Sequence, residues 1–184
     1  MFAPQGKVPT PTAPGVDRRA HFRHNDAVKL TALRAQDRPA YVERSDGRCI
    51  VAAHGDRPMP DEAFSNHIRE VRRIVNDEGA VCILMYSAGH GGPNAKQRAS
   101  LRQLADLPTR FALVTDSAPM RALMTAITWF LKQPVRAFPV HSAAQALDFL
   151  ELDAWERESV RRMVREVCAE GGFREPNMWE PTDE

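Results

Sequence analysis

Between residues 40 and 152 the chain switches repeatedly between two hydrophobic periods. Tyr41–Arg44 alternates and predicts a short strand, Asp46-Gly47 predicts a tight hairpin turn, and Cys49–Ala53 predicts the returning strand. Pro60-Asp61-Glu62 then opens a helix, because proline and acids suit the first turn with its unpaired amides. Phe64, Ile68, Val71 and Ile74/Val75 recur at helical spacing, and Gly79 ends that stripe. Val81–Tyr86 is apolar without alternation, the pattern of a strand covered on both faces. The next helix starts at Pro93 or Asn94 and carries Ala95, Ala99, Leu101, Leu104 and Ala105. Phe111–Val114 predicts another buried strand. Asp116-Ser117 supplies a cap for a helix from Pro119 to about Lys132, and Val135–Val140 predicts a last strand at an edge, because of Pro139. Ser142 is placed to cap a helix bearing Ala143, Ala146, Leu147 and Leu150.

The order is ββαβαβαβα, which predicts an α/β domain: a mostly parallel sheet with an antiparallel hairpin at its start and helices covering it. A further amphipathic helix over 153–172 carries Trp155, Val160, Met163, Val164 and Val167 and stops at Gly171-Gly172. Around this core, residues 1–25 are rich in Pro, Thr and Ala and predict a tail with a basic arm (Arg18, Arg19, His21, Arg23, His24). Residues 26–39 predict a short helix and linker, capped at Asn25 or Asp26. Residues 173–184 predict an acidic tail with Trp179, either disordered or a docking peptide.

Composition narrows the function. The 184 residues carry 25 basic and 24 acidic side chains, a net charge of +1, which argues against a nucleic-acid-wrapping protein. The three cysteines, Cys49, Cys82 and Cys168, form no CxxC pair and predict reduced, mostly buried thiols in the cytoplasm. No apolar run has signal-peptide or membrane-spanning length, so no membrane contact is expected. His54, His67, His90 and His141 are scattered without the paired spacing of a metal site, so no metal and no cofactor is expected. His67 falls on or beside the apolar stripe of its helix, as a partly buried histidine.

Most of the candidate chemistry gathers in Ser87-Ala88-Gly89-His90-Gly91-Gly92-Pro93-Asn94. A Walker A loop is excluded, because Lys96 lacks the preceding glycine and the following hydroxyl. A dinucleotide fingerprint is excluded by its missing third glycine. Gly89, Gly91 and Gly92 permit positive φ or close approach. The helix start at Asn94, with Lys96, Arg98 and Arg102 beside it, would attract an anion: a phosphate, an acidic partner or a phosphorylated Ser87. The alternative is a mobile surface loop. At the C-terminal edge of a parallel sheet Ser87 and His90 would meet Thr115, Asp116, Ser117, His141 and Ser142, so Ser87, Asp116 and His141 are candidates for a nucleophile, an orienter and a base. The competing account makes Ser117, Asp116 and Ser142 helix caps.

The helix from Met120 to Lys132 is apolar nearly all round. Its polar stripe is only Arg121, Thr125, Thr128 and Lys132. Met120, Leu123, Met124, Ile127, Trp129 and Phe130 therefore need a cover: the helix at 155–168, a homodimer partner, or a pocket that they line.

The segments Tyr41–Gly55, Val81–Arg98 and Phe111–Leu150, in this element order, resemble a STAS-type domain, the fold of anti-sigma-factor antagonists. More closely they resemble the divergent STAS/SEC14-like group of bacterial proteins. In the phosphorylated antagonists, an acid followed by Ser or Thr precedes the second helix. The matching positions here are Tyr86-Ser87-Ala88-Gly89, without the acid, and Pro93 intervenes. The resemblance implies a non-enzymatic module that binds a protein or a small ligand. The leading expectation is a cytosolic regulatory or scaffolding module in signalling that binds a protein partner through loop 87–94 and the following helix. The alternatives are a small-molecule or lipid carrier, with helix 119–132 and the strand edge lining a cavity, and a hydrolase using Ser87, Asp116 and His141.

Overall fold

The computed structural model describes residues 39–89, 93–128 and 133–176. The predicted N-terminal tail, basic arm and short helix, along with Trp179, lie outside them. Within them the chain is α/β, as the alternating periods require. The strands are β1 (Tyr41–Asp46), β2 (Cys49–His54), β3 (Val81–Ser87), β4 (Thr109–Thr115) and β5 (Val135–Phe138). The helices are α1 (Asp61–Glu78), α2 (Ala95–Ser100), α3 (Ala118–Thr128), α4 (Ala143–Phe149) and α5 (Ala154–Gly171).

The sheet runs β1-β2-β3-β4-β5 in chain order, with β1 antiparallel to β2 and every other pair parallel. Gly47, at φ +55°, makes the two-residue hairpin turn that Asp46-Gly47 predicts. β5 is an edge strand, but Pro139 follows it and begins a 3₁₀ turn over Val140–Ser142. The predicted strand through Val140 is therefore shorter by two residues. Likewise the helix expected over residues 94–105 breaks: α2 ends at Ser100 and a 3₁₀ turn continues over Leu101–Leu104.

The strand order never reverses, and this organises the molecule. Parallel crossovers share one hand, so successive crossovers in one direction land on one face of the sheet. α1, the α2 segment and α3 accordingly share a face with Ile50, Ile83, Phe111 and Leu113. On that face α1 buries Phe64, Ile68, Val71 and Ile74, each contributing about 1.5–3 kcal/mol of apolar transfer before chain entropy is counted. The opposite face, with Cys49, Val51, Leu84, Ala112 and Val114, is covered by α4 and α5. α5 lies over β1 and β2 on that side, so it does not cover α3 as the sequence suggested.

Two cap networks hold the ends of helices. Asp153 and Glu156 form a reciprocal capping box at the start of α5, and Glu156 also takes a two-pronged contact from Arg48 in the hairpin turn at 2.6 and 2.8 Å. At the start of α3 the Ser117 hydroxyl accepts from the Met120 amide at 3.4 Å, as predicted. Ser142 makes no capping hydrogen bond to α4. The three cysteines are free and buried, and burial pushes the Cys49 and Cys168 thiols up to about 12. No helix among the described residues is long and apolar enough to cross a membrane.

Candidate functional site

The residues expected at the glycine loop are engaged in building it. Ser87 is buried, and its hydroxyl donates to the Gly89 carbonyl at 3.0 Å. The Ala88 amide donates to His54 O at 2.9 Å, pinning the end of β3 to the end of β2. A Cβ on Gly89 would stand 2.6 Å from the backbone nitrogen of Asp56, so glycine is required there by close approach of another segment. His90, Gly91 and Gly92 lie outside the described residues. Asn94 caps α2 through a reciprocal box with Gln97. Lys96 pairs with Asp61 at 3.0 Å, and Arg98 donates to the Pro93 carbonyl at 2.7 Å. The capping box engages the backbone amides of Asn94 and Gln97, and Lys96 holds Asp61 below the usual carboxylate range.

No hydrogen bond among the described residues joins Ser87, Asp116 and His141. Ser87 is committed to Gly89, Asp116 is exposed and accepts from the Val140 amide at 3.1 Å, and His141 is exposed in the 3₁₀ turn after β5. A crevice at the C-terminal edge opens where strand order reverses, and this sheet has no reversal. Among the described residues no cluster of three or more His, Cys, Asp or Glu side chains could hold a metal ion.

The structure instead opens a cavity of about 110 Å³ between the sheet and its first three helices. Its floor is Ile83 and Met85 from β3, Phe111 and Leu113 from β4, and Val135 from β5. Phe64 of α1, Leu101 and Leu104 after α2, and Met120, Leu123 and Met124 of α3 form its walls. Three of the residues expected to line a pocket or interface, Met120, Leu123 and Met124, thus do line a cavity. Ile127 belongs to α3, and Trp129 and Phe130 lie outside the described residues. The floor crosses β3, β4 and β5 and reaches His54 on β2. At about 4.8 Å per strand spacing, that is roughly 14 Å across the sheet.

The polar groups of this cavity are few. Gln97 and Gln133 are spent on the protein: Gln97 donates to Met59 O and Asp61, and Gln133 donates to the carbonyls of Leu104 and Leu107. The Thr109 side chain borders the cavity, and its buried hydroxyl has no hydrogen-bond partner. His54 and His67 mark the β2 end. Tyr41 and His54 are register partners on adjacent strands, and Tyr41 also meets His67 edge-on, with ring centroids 6.4 Å apart. Both histidines are more than nine-tenths buried. Burial pushes the His54 imidazole below its ordinary value, so its neutral form is favoured. His67 binds Glu43 through Nδ1, and the Tyr41 hydroxyl bonds the same carboxylate.

The Glu43–His67 dyad had no motif to announce it, since its members lie on a strand and a helix far apart in the chain. Its one sequence signal is that Glu43 shares the inward face of β1 with Tyr41. Comparison with protein-family models, with curated proteins and with solved structures finds no match. The chemistry of the cavity is therefore read from its own residues.

Proposed function

We propose that this domain is a non-enzymatic regulatory module of STAS-like type whose input is a small apolar molecule held between the sheet and α1–α3. The observation that carries this reading is the cavity itself. Packed interiors leave few voids larger than a water molecule, and this one is about 110 Å³ with walls that are almost wholly apolar. A cavity of about 150 Å³ with comparable walls stays dry and takes up benzene, so the size suits one ring or a short chain.

The reading joins two expectations from the sequence, ligand carriage and partner binding. Gln97, Leu101 and Leu104 line the cavity, while Lys96 and Arg98 of the same short segment face solvent. An occupant that shifts this segment alters the surface it presents, which is the property a regulatory module needs.

The test is thermal unfolding with benzene. At ten times its dissociation constant, a ligand specific to the folded state adds about 1.4 kcal/mol. Val135→Phe, on the edge strand, fills the far end of the cavity and should abolish that gain while leaving the fold intact. An unchanged midpoint in benzene for the parent protein would remove the basis of the reading.

A further inference from the structure

The tautomers of the two cavity histidines are set by what their Nδ1 atoms touch. An ionised carboxylate only accepts hydrogen bonds. His67 Nδ1 faces Glu43 Oε2, so Nδ1 carries the proton and donates it, while the Tyr41 hydroxyl donates to the same oxygen. A carbonyl likewise only accepts. His54 Nδ1 lies 3.3 Å from Gly55 O, which places the proton of that ring on Nδ1 too. In the neutral form of each ring Nε2 is then a bare lone pair. Both residues line the cavity, and neither Nε2 has a hydrogen-bond partner among the described residues. The β2 end of a largely apolar chamber then offers acceptors without a donor beside them: Gln97 and Gln133 have spent their amides on carbonyls and on Asp61, and the unpartnered Thr109 hydroxyl belongs to β4.

We infer that the cavity selects a small ligand of the phenol class, a single ring or short apolar body bearing one hydroxyl that donates to Nε2 of His67 or His54. The inference rests on the cavity reading above and adds the identity of the head group. The body lies over Ile83, Phe111 and Leu113 beneath α3. A carboxylate is disfavoured, because it would bring an acceptor and a negative charge to two acceptors with Glu43 behind them. A plain hydrocarbon enters but leaves both lone pairs unmet. Glu43 and Tyr41 are positioning residues here: they fix which nitrogen of His67 is protonated and touch the ligand only through that ring.

The experiment is calorimetric titration of the full chain with phenol, toluene and benzoate in mildly alkaline buffer, together with nitrogen-15 spectra of the histidine rings. Phenol and toluene have nearly the same shape. One charge-free hydrogen bond to an otherwise unmet acceptor makes phenol bind about tenfold more tightly. Phenol moves the Nε2 resonance of at least one cavity histidine, and toluene does not. His67→Phe, with His54→Phe as the second variant, should bring phenol toward the affinity of toluene. The ring-nitrogen spectra decide the matter in the parent protein if either variant does not fold. Equal binding of phenol and toluene overturns the head-group inference and leaves the cavity reading standing. Tightest binding of benzoate overturns it as well, since the rings would then be acting as donors. Binding of none of the three overturns both readings.

Discussion

The contact between Arg48 and Glu156 makes an asymmetric prediction. Arg48 sits in the β1–β2 turn and grips Glu156, at the start of α5, through Nε and Nη2. Its Nη1 lies 3.0 Å from Cys82 Sγ. The side chain of Glu156 is 12% exposed and that of Arg48 is 29% exposed. Removing one partner of a buried pair costs about 3–5 kcal/mol, because the other charge is left without compensation. The partial exposure here lowers that figure. Arg48→Met strands the more buried charge, leaving the Glu156 carboxylate only the Asp153 amide at 2.9 Å, and should cost about 2–3 kcal/mol. Glu156→Gln keeps the capping box, since glutamine accepts from the same amide. It strands only the guanidinium, which reaches water, and should cost about 1 kcal/mol. The double variant should fall below the sum of the singles by more than about 0.5 kcal/mol. Urea unfolding of the four proteins, with equal slopes, measures all three quantities. A larger loss for Glu156→Gln than for Arg48→Met would refute the assignment of the carboxylate as the member that burial makes expensive.

Two further outcomes follow from the loop and the cavity. Gly89→Ala places a methyl group against the Asp56 backbone, which cannot swing aside as a side chain can, and should lower stability by about 1–3 kcal/mol; a change under about 0.5 kcal/mol in urea unfolding would contradict that close approach. His54 is held below its ordinary value of 6.5 by burial, so on acidification the unfolded chain takes up its proton before the folded one does. The stability this represents is present above about pH 6.5 and is lost as the pH falls through the folded value, with a slope of at most about 1.4 kcal/mol per pH unit for one proton. His54→Gln should flatten that slope between about pH 6.5 and 5, above the range where carboxylates titrate, and an unchanged slope would place the titration elsewhere.

The architecture was readable because it rests on local signals: Asp46-Gly47 turns the hairpin, the Phe64–Ile74 stripe buries α1, and Val81–Tyr86 is apolar on both sides. What sequence could not assign was side. Nothing in the α5 stripe says which face of the sheet it will cover, and that choice decided that α3 faces a cavity and not α5. The capping box at the start of α2 was also local, since Asn94 followed by Gln97 has its spacing. The cavity was legible only as one alternative for the apolar surface of Met120, Leu123 and Met124, and its other walls were not. Its walls come from β2 to β5 and from all three crossover segments, and a void is defined by what the side chains leave unfilled.

The unbroken strand order also sets a timetable. Every parallel strand pairs with the one made just before it, so the sheet and its first face can assemble step by step during synthesis. The second face has no such provision. Val51, Leu84 and Val114 are complete long before Ala154–Gly171, the helix that finishes their cover, leaves the ribosome. A chain stopped at Leu152 would hold the cavity side closed and leave the other side, beyond α4, bare over β1 and β2. Such a fragment should sediment with aggregates, where the full chain stays in the supernatant.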